Sequence, residues 1–266
     1  MAADRAPAPD EVAADAYSLI AGRYDELEDE PVLVYMRSRS LGALRETMPR
    51  DGRLLELGCG TGTEALVIAG ELGASVVACE PSAGMLSVAE KKVAESGADV
   101  ELLHASAGDA LRSLVERGQS FDGAWASFSL SYDEPLDSLR APLAAVLKPG
   151  APFVCTLRNT FCFGEPWSFV SRVSGIYRHR VGGRRVALRH TTPHGAERAL
   201  APEFVLESAQ ALPALLPPPG LRRLWRGAIA TGALEALDAR VSGLWPLRFL
   251  GDHTLFRFRR ARGGAE

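Results

Sequence analysis

The residues with the clearest chemical meaning form a glycine loop at positions 58–62. An apolar segment, Leu54–Leu57, leads into Gly58, Gly60 and Gly62, and helical sequence follows. Glycine permits a tight turn and lets a ligand approach the backbone closely. The first N–H groups of the helix have no partner within the helix and can bind a ligand. This spacing predicts a nucleotide-like ligand at the loop.

Two glutamates narrow the choice of ligand. The dinucleotide fingerprint is G-x-G-x-x-G, but Thr63 stands where its third glycine belongs, and no Walker-type G-K-[ST] follows. Glu56 precedes Gly58 by two residues, where a carboxylate repels a pyrophosphate but attracts an ammonium group directly or through water. Glu80 ends the next apolar segment, where a carboxylate can accept hydrogen bonds from a ribose diol. A ribose and a cationic amino acid together describe S-adenosylmethionine.

Four motifs carry a family resemblance over roughly residues 15–158. They are Glu56-Leu57-Gly58-Cys59-Gly60-Thr61-Gly62, Glu80-Pro81-Ser82 with Met85, residues 121–128 (FDGAWASF), and Leu147-Lys148-Pro149-Gly150. With these motifs the chain resembles the class I S-adenosylmethionine-dependent methyltransferases of small molecules, and in particular the quinone-biosynthesis group. The resemblance implies a methyltransferase that releases S-adenosylhomocysteine.

The resemblance also implies which residues contact the cofactor. The loop would pass under the methionine portion with Ser127 beside it, Glu80 would bind the ribose, and Pro81 and Met85 would line the adenine. At the exit of the third strand, Ser106 stands where many relatives have an aspartate that accepts from the adenine amino group. The expected cofactor residues are Tyr17, Tyr24, Glu56, Gly58, Cys59, Gly60, Thr61, Gly62, Glu80, Pro81, Met85, Ser106, Ala107 and Ser127.

The acceptor side is less well defined by sequence. Methyl transfer needs alignment of donor and acceptor and exclusion of water, and a base helps only when the acceptor is a weakly acidic hydroxyl. His179 and His190 are the candidate bases. The candidate substrate residues are Phe128, Tyr132, Arg158, Phe161, Trp167 and Tyr177. The aromatic residues could equally form the core of an insertion, and the nearby arginines could be a solvated face.

The surrounding pattern predicts the elements that position these residues. Apolar strands are expected at 53–57, 75–80, 100–104, 121–127 and 152–158, separated by helices at 63–72, 82–95, 108–117 and 134–147. Helices are also expected at 10–21, 31–47, after Thr192-Pro193 and at about 221–241, and strands at 204–212 and 254–259. This alternation predicts an α/β fold: a Rossmann-like, doubly wound, mostly parallel seven-stranded sheet with an antiparallel last strand.

Charge divides the chain into two halves. Residues 1–150 contain 13 Lys and Arg against 25 Asp and Glu, whereas residues 151–266 contain 17 against 8. We expect a helical lead at 1–50 over the cofactor site and a methyltransferase domain at 51–266, with a substrate lid at 159–191 and a helical insertion at 213–250. The positive half predicts a small-molecule substrate that is acidic or lipid-like.

Composition and charge also bear on nucleic acid, membrane and metal as possible partners. Nucleic acid is not expected, because the basic residues lack interleaved aromatic residues and the acidic half would repel phosphates. Residues 221–226 (LRRLWR) admit peripheral membrane contact, and a non-catalytic cofactor-binding protein is the alternative from another class. Four cysteines without zinc-site spacing predict no metal and a cytoplasmic setting. A monomer or a homodimer is expected.

Overall fold

The computed structural model describes residues 9–27, 29–162, 166–174, 177–216 and 232–262. The helices are α1 Pro9–Ser18, α2 Tyr24–Leu27, α3 Pro31–Thr47, α4 Thr63–Leu72, α5 Ala83–Ser96, α6 Ala107–Glu116, α7 Leu136–Val146, α8 Phe169–Val173, α9 Pro193–Leu200 and α10 Gly232–Val241. The strands are β1 Arg53–Leu57, β2 Ser75–Glu80, β3 Val100–His104, β4 Gly123–Ala126, β5 Pro152–Arg158, β6 Arg178–Val181, β7 Arg184–Ala187, β8 Phe204–Leu212 and β9 His253–Arg260.

Seven of these strands form one sheet in the order β3-β2-β1-β4-β5-β9-β8. The five neighbouring strands β3, β2, β1, β4 and β5 pair in parallel. Strand β9 is antiparallel to both of its neighbours, β5 and β8. The predicted fold class is therefore confirmed. The chain order reverses between β1 and β4, and such a switch point leaves a crevice at the carboxyl ends of the strands.

Successive side chains of each strand point to opposite faces of the sheet, so each face has its own apolar core. On β1, Leu55 and Leu57 belong to one apolar cluster, whereas Leu54 belongs to the other. Trp125 of β4 is fully buried in the second cluster and pairs in register with Glu56. Because side chains alternate between faces, Glu56 lies on the same face as Leu54 and is enclosed by apolar neighbours.

The helix boundaries follow local capping chemistry. The Ser82 hydroxyl accepts from the backbone N–H of Met85 at the start of α5. The Thr192 hydroxyl accepts from the N–H of Gly195 at the start of α9, in agreement with the predicted cap. β4 is shorter than predicted because Phe121 makes only an isolated bridge to Leu147.

The segment 159–191 contains elements of its own. β6 and β7 form a two-stranded hairpin that turns at Gly182-Gly183, both with positive φ. The hairpin packs against α1 through a small apolar cluster that includes Ala16, Val181 and Val186. The short helix α8 was not predicted. Residues 221–226, the segment considered for peripheral membrane contact, lie outside the described residues.

Candidate functional site

A cavity of about 360 Å³ opens at the carboxyl edge of the sheet. Its wall is built from the ends of β1, β2, β4 and β5, from the start of β9, and from helices α1 to α3. The volume is within the range of sites for small molecules and cofactors. The cavity therefore occupies the crevice that the strand order predicts.

The glycine loop closes one side of this cavity in a conformation that requires glycine. Gly58 has a φ of 81°, and a Cβ there would lie 2.3 Å from the Cβ of Ser129. The N–H groups of Gly58 and Cys59 both donate to the carbonyl oxygen of Cys79, at 2.9 Å each. These contacts hold the loop against the end of β2. The backbone N–H of Gly60 therefore reaches the carboxylate of Glu80, the last residue of that strand.

Glu80 at the end of β2 is the residue that the loop contacts. Its Oε2 accepts from the N–H of Gly60 at 2.9 Å, and its Oε1 accepts from the N–H of Ser82 at 2.9 Å. The residue is 8% exposed and lines the cavity. Burial raises the pKa of the carboxyl, although the two backbone donors oppose this effect. The carboxylate is thereby fixed in orientation at the cavity wall.

Glu56 supplies a second carboxylate to the same wall. Its Oε1 accepts from the indole Nε1 of Trp125 at 2.9 Å, whereas its Oε2 is buried and has no hydrogen-bond partner among the described residues. Burial, together with the negative charge of Glu64, raises the pKa of Glu56 well above its ordinary value. A cationic group in the cavity would stabilise the ionised form of this acid.

Glu64 is a third acid of this wall that sequence reasoning missed. It lies in the first turn of α4, is 7% exposed and lines the cavity beside Glu56. Its position one residue after Thr63, in the first turn after the glycine loop, is the signal that could have identified it. Three buried acids around one cavity oppose the binding of phosphate and favour a ligand with a positive charge.

The N-terminal helices line the cavity and are tied to its other walls. The Tyr17 hydroxyl donates to the Tyr132 hydroxyl at 2.7 Å, so α1 is tied to the segment after β4. Lys92 of α5 lies 2.6 Å from the Asp25 carboxylate and 3.1 Å from the Thr61 hydroxyl. Lys92 thus links helix α2 of the N-terminal lead to the glycine loop.

Most of the residues expected at the cofactor line the cavity. They are Tyr17, Tyr24, Glu56, Gly58, Cys59, Gly60, Thr61, Glu80, Pro81, Met85, Ala107 and Ser127. Gly62 and Ser106 do not. Gly62 is the N-cap of α4 and packs towards Ala89, and Ser106 is the N-cap of α6, where its hydroxyl accepts from the N–H of Asp109.

Only some of the residues expected at the acceptor line the cavity. Phe128, Tyr132, Arg158 and His179 line the cavity, but Phe161, Trp167, Tyr177 and His190 do not. Phe161 stacks on Phe169, and Trp167, just before α8, is 69% exposed. The Tyr177 ring packs edge-on against His190, which lines a separate cavity behind Tyr132. Burial lowers the pKa of His190 to about 3, so its imidazole is neutral at physiological pH.

The far end of the cavity contains a charged cluster that the sequence did not reveal. His253 begins β9, pairs in register with Arg158 and packs edge-on against the Phe128 ring at 5.1 Å. Its Nδ1 lies 3.1 Å from Oδ2 of Asp252, outside the angular range of a regular hydrogen bond. The available signal was an Asp-His pair directly before the final strand, but its proximity to Arg158 depends on the pairing of β5 with β9.

Two arginines surround Asp252. Nη1 of Arg158 lies 2.9 Å from Oδ1 of the carboxylate, and Nη2 of Arg172 lies 3.1 Å from the same oxygen. Burial alone would raise the pKa of Asp252, but the positive charge of Arg158, the contact with His253 and the positive charge of Arg172 hold it well below its ordinary value. Burial lowers the pKa of His253, and Arg158 adds to this effect while Asp252 opposes it.

Two absences hold for the described part of the chain. It contains no group of three or more His, Cys, Asp or Glu side chains that could hold a metal ion. No helix within it has the length and apolar character needed to cross a membrane.

Comparison with known protein families gives one match. Residues 54–150 match the family described as Methyltransferase domain. This range begins within β1 and ends before β5, so it contains the glycine loop and Glu80.

Curated relatives match over a similar region. The chain is 32% identical over 129 residues to the Ubiquinone biosynthesis O-methyltransferase of Dinoroseobacter shibae, covering 46% of this chain and 46% of that protein. It is 32% identical over 114 residues to the protein of the same name from Brucella anthropi, covering 42% and 44% respectively. The matched region thus spans slightly less than half the length of these relatives.

Solved structures share the fold over more of the chain. An S-adenosylmethionine dependent methyltransferase from Mesorhizobium loti has a TM-score of 0.54 and 23% identity, covering 82% of this chain and 96% of its own. Geranyl diphosphate C-methyltransferase from Streptomyces coelicolor has a TM-score of 0.56 and 17% identity, covering 84% and 76%. At these identities the likeness concerns the fold.

Proposed function

We propose that this chain, which carries a methyltransferase domain over residues 54–150, is a class I enzyme that transfers a methyl group from S-adenosylmethionine to a small-molecule acceptor. The observation that carries this proposal is the Glu80 carboxylate, which two backbone N–H groups fix at the wall of the same cavity as the glycine loop. A carboxylate in this position can accept from both hydroxyls of a ribose diol.

The other acids of the cavity fit the rest of this cofactor. Oε2 of Glu56 is buried without a hydrogen-bond partner among the described residues, and Glu64 lies beside it. An ammonium or sulfonium charge would compensate these carboxylates, whereas a dinucleotide's pyrophosphate would be repelled. The donor set therefore fits S-adenosylmethionine better than NAD or a nucleoside triphosphate.

When bound, the cofactor supplies a methyl group on a sulfonium, whose thioether leaving group is neutral. The chain's own contribution is to bind, to orient and to exclude water. The glycine loop would carry the methionine portion, Glu80 would hold the ribose, and Pro81 and Met85 would line the adenine. Tyr17 and Tyr24 of the lead would cover the site. Holding both reactants in one closed cavity turns a bimolecular step into an effectively unimolecular one.

We propose that the acceptor is an aromatic, quinone-like or acidic metabolite. Phe128 and Tyr132 offer aromatic faces to the cavity, and Arg158 contributes positive charge at its far end. The curated relatives are described as O-methyltransferases of ubiquinone biosynthesis, which favours oxygen as the methylated atom. We further propose that residues 1–50 cover the cofactor, that 159–191 act as a substrate lid and that 213–250 form an insertion.

The setting of the enzyme is proposed as the cytoplasm, as a monomer or a homodimer. Cys59, Cys79 and Cys155 are buried as free thiols, which agrees with a reducing compartment.

The test is a methyl-transfer assay with S-adenosylmethionine labelled in its methyl group. The purified chain is incubated with a panel of phenols, quinols and carboxylic acids, and the label and S-adenosylhomocysteine are followed. We expect both to form with at least one acceptor, and Glu80→Ala to abolish saturation by the cofactor in the working range. Binding of neither S-adenosylmethionine nor S-adenosylhomocysteine by the wild type would refute the proposal.

A further inference from the structure

We propose that His253 is the general base that takes the proton from a phenolic or enolic hydroxyl of the acceptor, and that Asp252 orients it. This inference rests on the proposed methyl transfer and specifies its acceptor as an acidic O–H group rather than an amine. His253 would be the catalytic residue, and Asp252 a positioning residue.

Geometry is the first argument. His253 is 7% exposed, and its exposed part belongs to the same cavity as the glycine loop and Glu80. Its Nδ1 lies 3.1 Å from Asp252, so Nε2, on the other side of the ring, is the nitrogen available to a ligand in the cavity. Contacts of a catalytic base are often poorly aligned until the substrate binds, so the present angle between His253 and Asp252 is compatible with this role.

The packing of His253 fixes where the acceptor would bind. The Phe128 ring lies 5.1 Å from the imidazole, and Phe128 follows Ser127 at the exit of β4. Phe128 has a φ of 58°, which only a firmly held backbone imposes on a bulky residue, and its N–H donates to the Thr156 hydroxyl at 2.5 Å. An aromatic acceptor on Phe128 would therefore lie between the glycine loop and His253.

The charges around His253 favour an anionic acceptor. The facing groups are Asp252, Arg158, Arg172, His179 and His190, and the two arginines outnumber the single carboxylate. Burial, with Arg158 and Arg172, lowers the pKa of His253, so its imidazole is neutral at neutral pH; Asp252 opposes this effect and would stabilise the imidazolium formed on proton transfer. Arg158, which lines the cavity, would stabilise the negative charge that develops on an acceptor oxygen and oppose the positive charge of a methylated amine, whereas the His253 imidazolium is compensated by the adjacent Asp252.

The step balances without any further reactant. The acceptor O–H bond breaks, its proton goes to Nε2 of His253, and the oxygen's electron pair forms the new O–CH₃ bond. The S–CH₃ bond of S-adenosylmethionine breaks at the same time, and its electron pair stays on sulfur as neutral S-adenosylhomocysteine. The imidazolium, compensated by Asp252, then returns its proton to water.

The other titratable groups of the cavity suit this role less well. Glu56 and Glu80 lie at the cofactor end. His190 lies outside this cavity, and His179, on the hairpin strand β6, has no carboxylate at ion-pair distance within the described part of the chain. His253 is thus the histidine that combines access to the cavity with an adjacent carboxylate.

The first experiment needs no turnover. The probe is 4-nitrocatechol, whose phenolate absorbs visible light, titrated with the wild-type chain saturated with S-adenosylhomocysteine. We expect bound probe to ionise at a pH at least about one unit below that of free probe, a tenfold effect. No binding of the probe, or binding with an unchanged pKa, would overturn the inference. Saturation by S-adenosylhomocysteine is verified separately by calorimetry, so a failure of the proposed function is recognised independently.

The second experiment uses His253→Gln, with the exposed His194→Gln as the matched control. We expect His253→Gln to bind S-adenosylmethionine like the wild type and to reduce kcat/KM for catechol by roughly 10²–10⁴-fold, the usual contribution of a general base. The loss should be much smaller for 4-nitrocatechol, which is more acidic, and the variant's rate should keep rising with pH.

An equal loss for both catechols would indicate a merely structural role and would contradict the inference. An unchanged rate in His253→Gln, with cofactor binding intact, would also contradict it while leaving the proposed methyl transfer in place. If His253→Gln does not fold, the titration of 4-nitrocatechol still tests the inference, because it uses the wild-type chain.

Discussion

At the scale of single residues, the end of the cavity beside the glycine loop is lined by acids that are costly to bury. Glu56, Glu64 and Glu80 are 2%, 7% and 8% exposed. Both carboxylate oxygens of Glu80 accept from backbone N–H groups, those of Gly60 and Ser82, whereas Oε2 of Glu56 has no hydrogen-bond partner among the described residues. A buried carboxylate without full compensation destabilises the folded chain, so its retention is understandable if a cationic ligand compensates it.

The buried Glu56 predicts how stability depends on pH in the cofactor-free chain. Its raised pKa means that, between the ordinary and the raised value, the folded chain keeps a proton that the unfolded chain has lost. The free energy of unfolding should therefore fall as pH rises through this window. Glu56→Gln should reduce this dependence and stabilise the chain at about pH 8 by about 1–3 kcal/mol.

The measurement is urea unfolding at several pH values for the wild type, Glu56→Gln and the exposed control Glu116→Gln. An equal slope of stability against pH in the wild type and in Glu56→Gln would contradict the role assigned to this acid. Addition of S-adenosylmethionine should stabilise the wild type more at high pH than at low pH, since the cofactor's cation favours ionised Glu56.

The glycine loop makes a second prediction at this scale. Gly58 and Gly60 both have positive φ, but a Cβ at Gly58 would meet Ser129 at 2.3 Å, whereas one at Gly60 would meet nothing within 4 Å. Both Ala variants carry a backbone cost of roughly 1–2 kcal/mol. Gly58→Ala should cost about 1–3 kcal/mol more because of the clash. Urea unfolding compares them, and equal stabilities would show that the clash with Ser129 is relieved without cost.

At the scale of elements, the cavity depends on two segments that are not part of the central sheet. Helix α1 and the hairpin β6–β7 are joined by a small cluster in which Ala16 is fully buried beside Val181 and Val186. Gly182 allows the close approach, since a Cβ there would lie 2.9 Å from the carbonyl oxygen of Ala16. Helix α1 and the hairpin, which both contribute residues to the cavity wall, therefore form one packed unit made from distant parts of the chain.

Ala16→Glu tests this unit. The buried charge should separate α1 from the hairpin and weaken S-adenosylmethionine binding by about tenfold or more, the equivalent of about 1.4 kcal/mol. Hydrogen exchange should increase in α1 and in β6–β7 but not in β1 to β5. The control Leu27→Glu, at an exposed position in α2, should bind like the wild type. Increased exchange throughout the sheet would instead assign Ala16 to the main core.

The elements of the sheet were predictable because their signals are local. Strand β1 has the predicted bounds Arg53–Leu57, and α3 has the predicted bounds Pro31–Thr47, since alternation, proline and capping residues act within a few positions. Helix α8 and the contact between α1 and the hairpin were not predicted, because they depend on packing between segments far apart in sequence. Tertiary context of this kind is not encoded in a local pattern.

The two ends of the cavity also differ in how far the sequence predicts them. Glu56 and Glu80 were predictable because each lies within one residue of the end of a strand beside the glycine loop. His253 was missed because its neighbours Arg158 and Phe128 come from β5 and from the exit of β4, which only the sheet order brings together. His179 and His190 were chosen for their position in the insertion, and His190 lines a different cavity.

At the scale of the whole molecule, the division of charge along the chain reappears within the cavity. Glu56, Glu64 and Glu80 at one end come from residues 1–150, the acidic half, and Arg158 and His253 at the other end come from residues 151–266, the basic half, together with Asp252. A cationic donor and an anionic acceptor would thus meet between ends of opposite charge. This arrangement favours attack by an ionised oxygen on the sulfonium methyl group.

The central claim is that the cavity binds S-adenosylmethionine through Glu80, and calorimetric titration of the cofactor-free chain tests it most directly. We expect saturable binding of S-adenosylmethionine and of S-adenosylhomocysteine at one site. Glu80→Ala should weaken it by about 10- to 150-fold, the equivalent of about 1.5–3 kcal/mol for charge-assisted hydrogen bonds. The exposed control Glu101→Ala should bind like the wild type. Absence of binding by the wild type, or an unchanged affinity in Glu80→Ala, would contradict the claim.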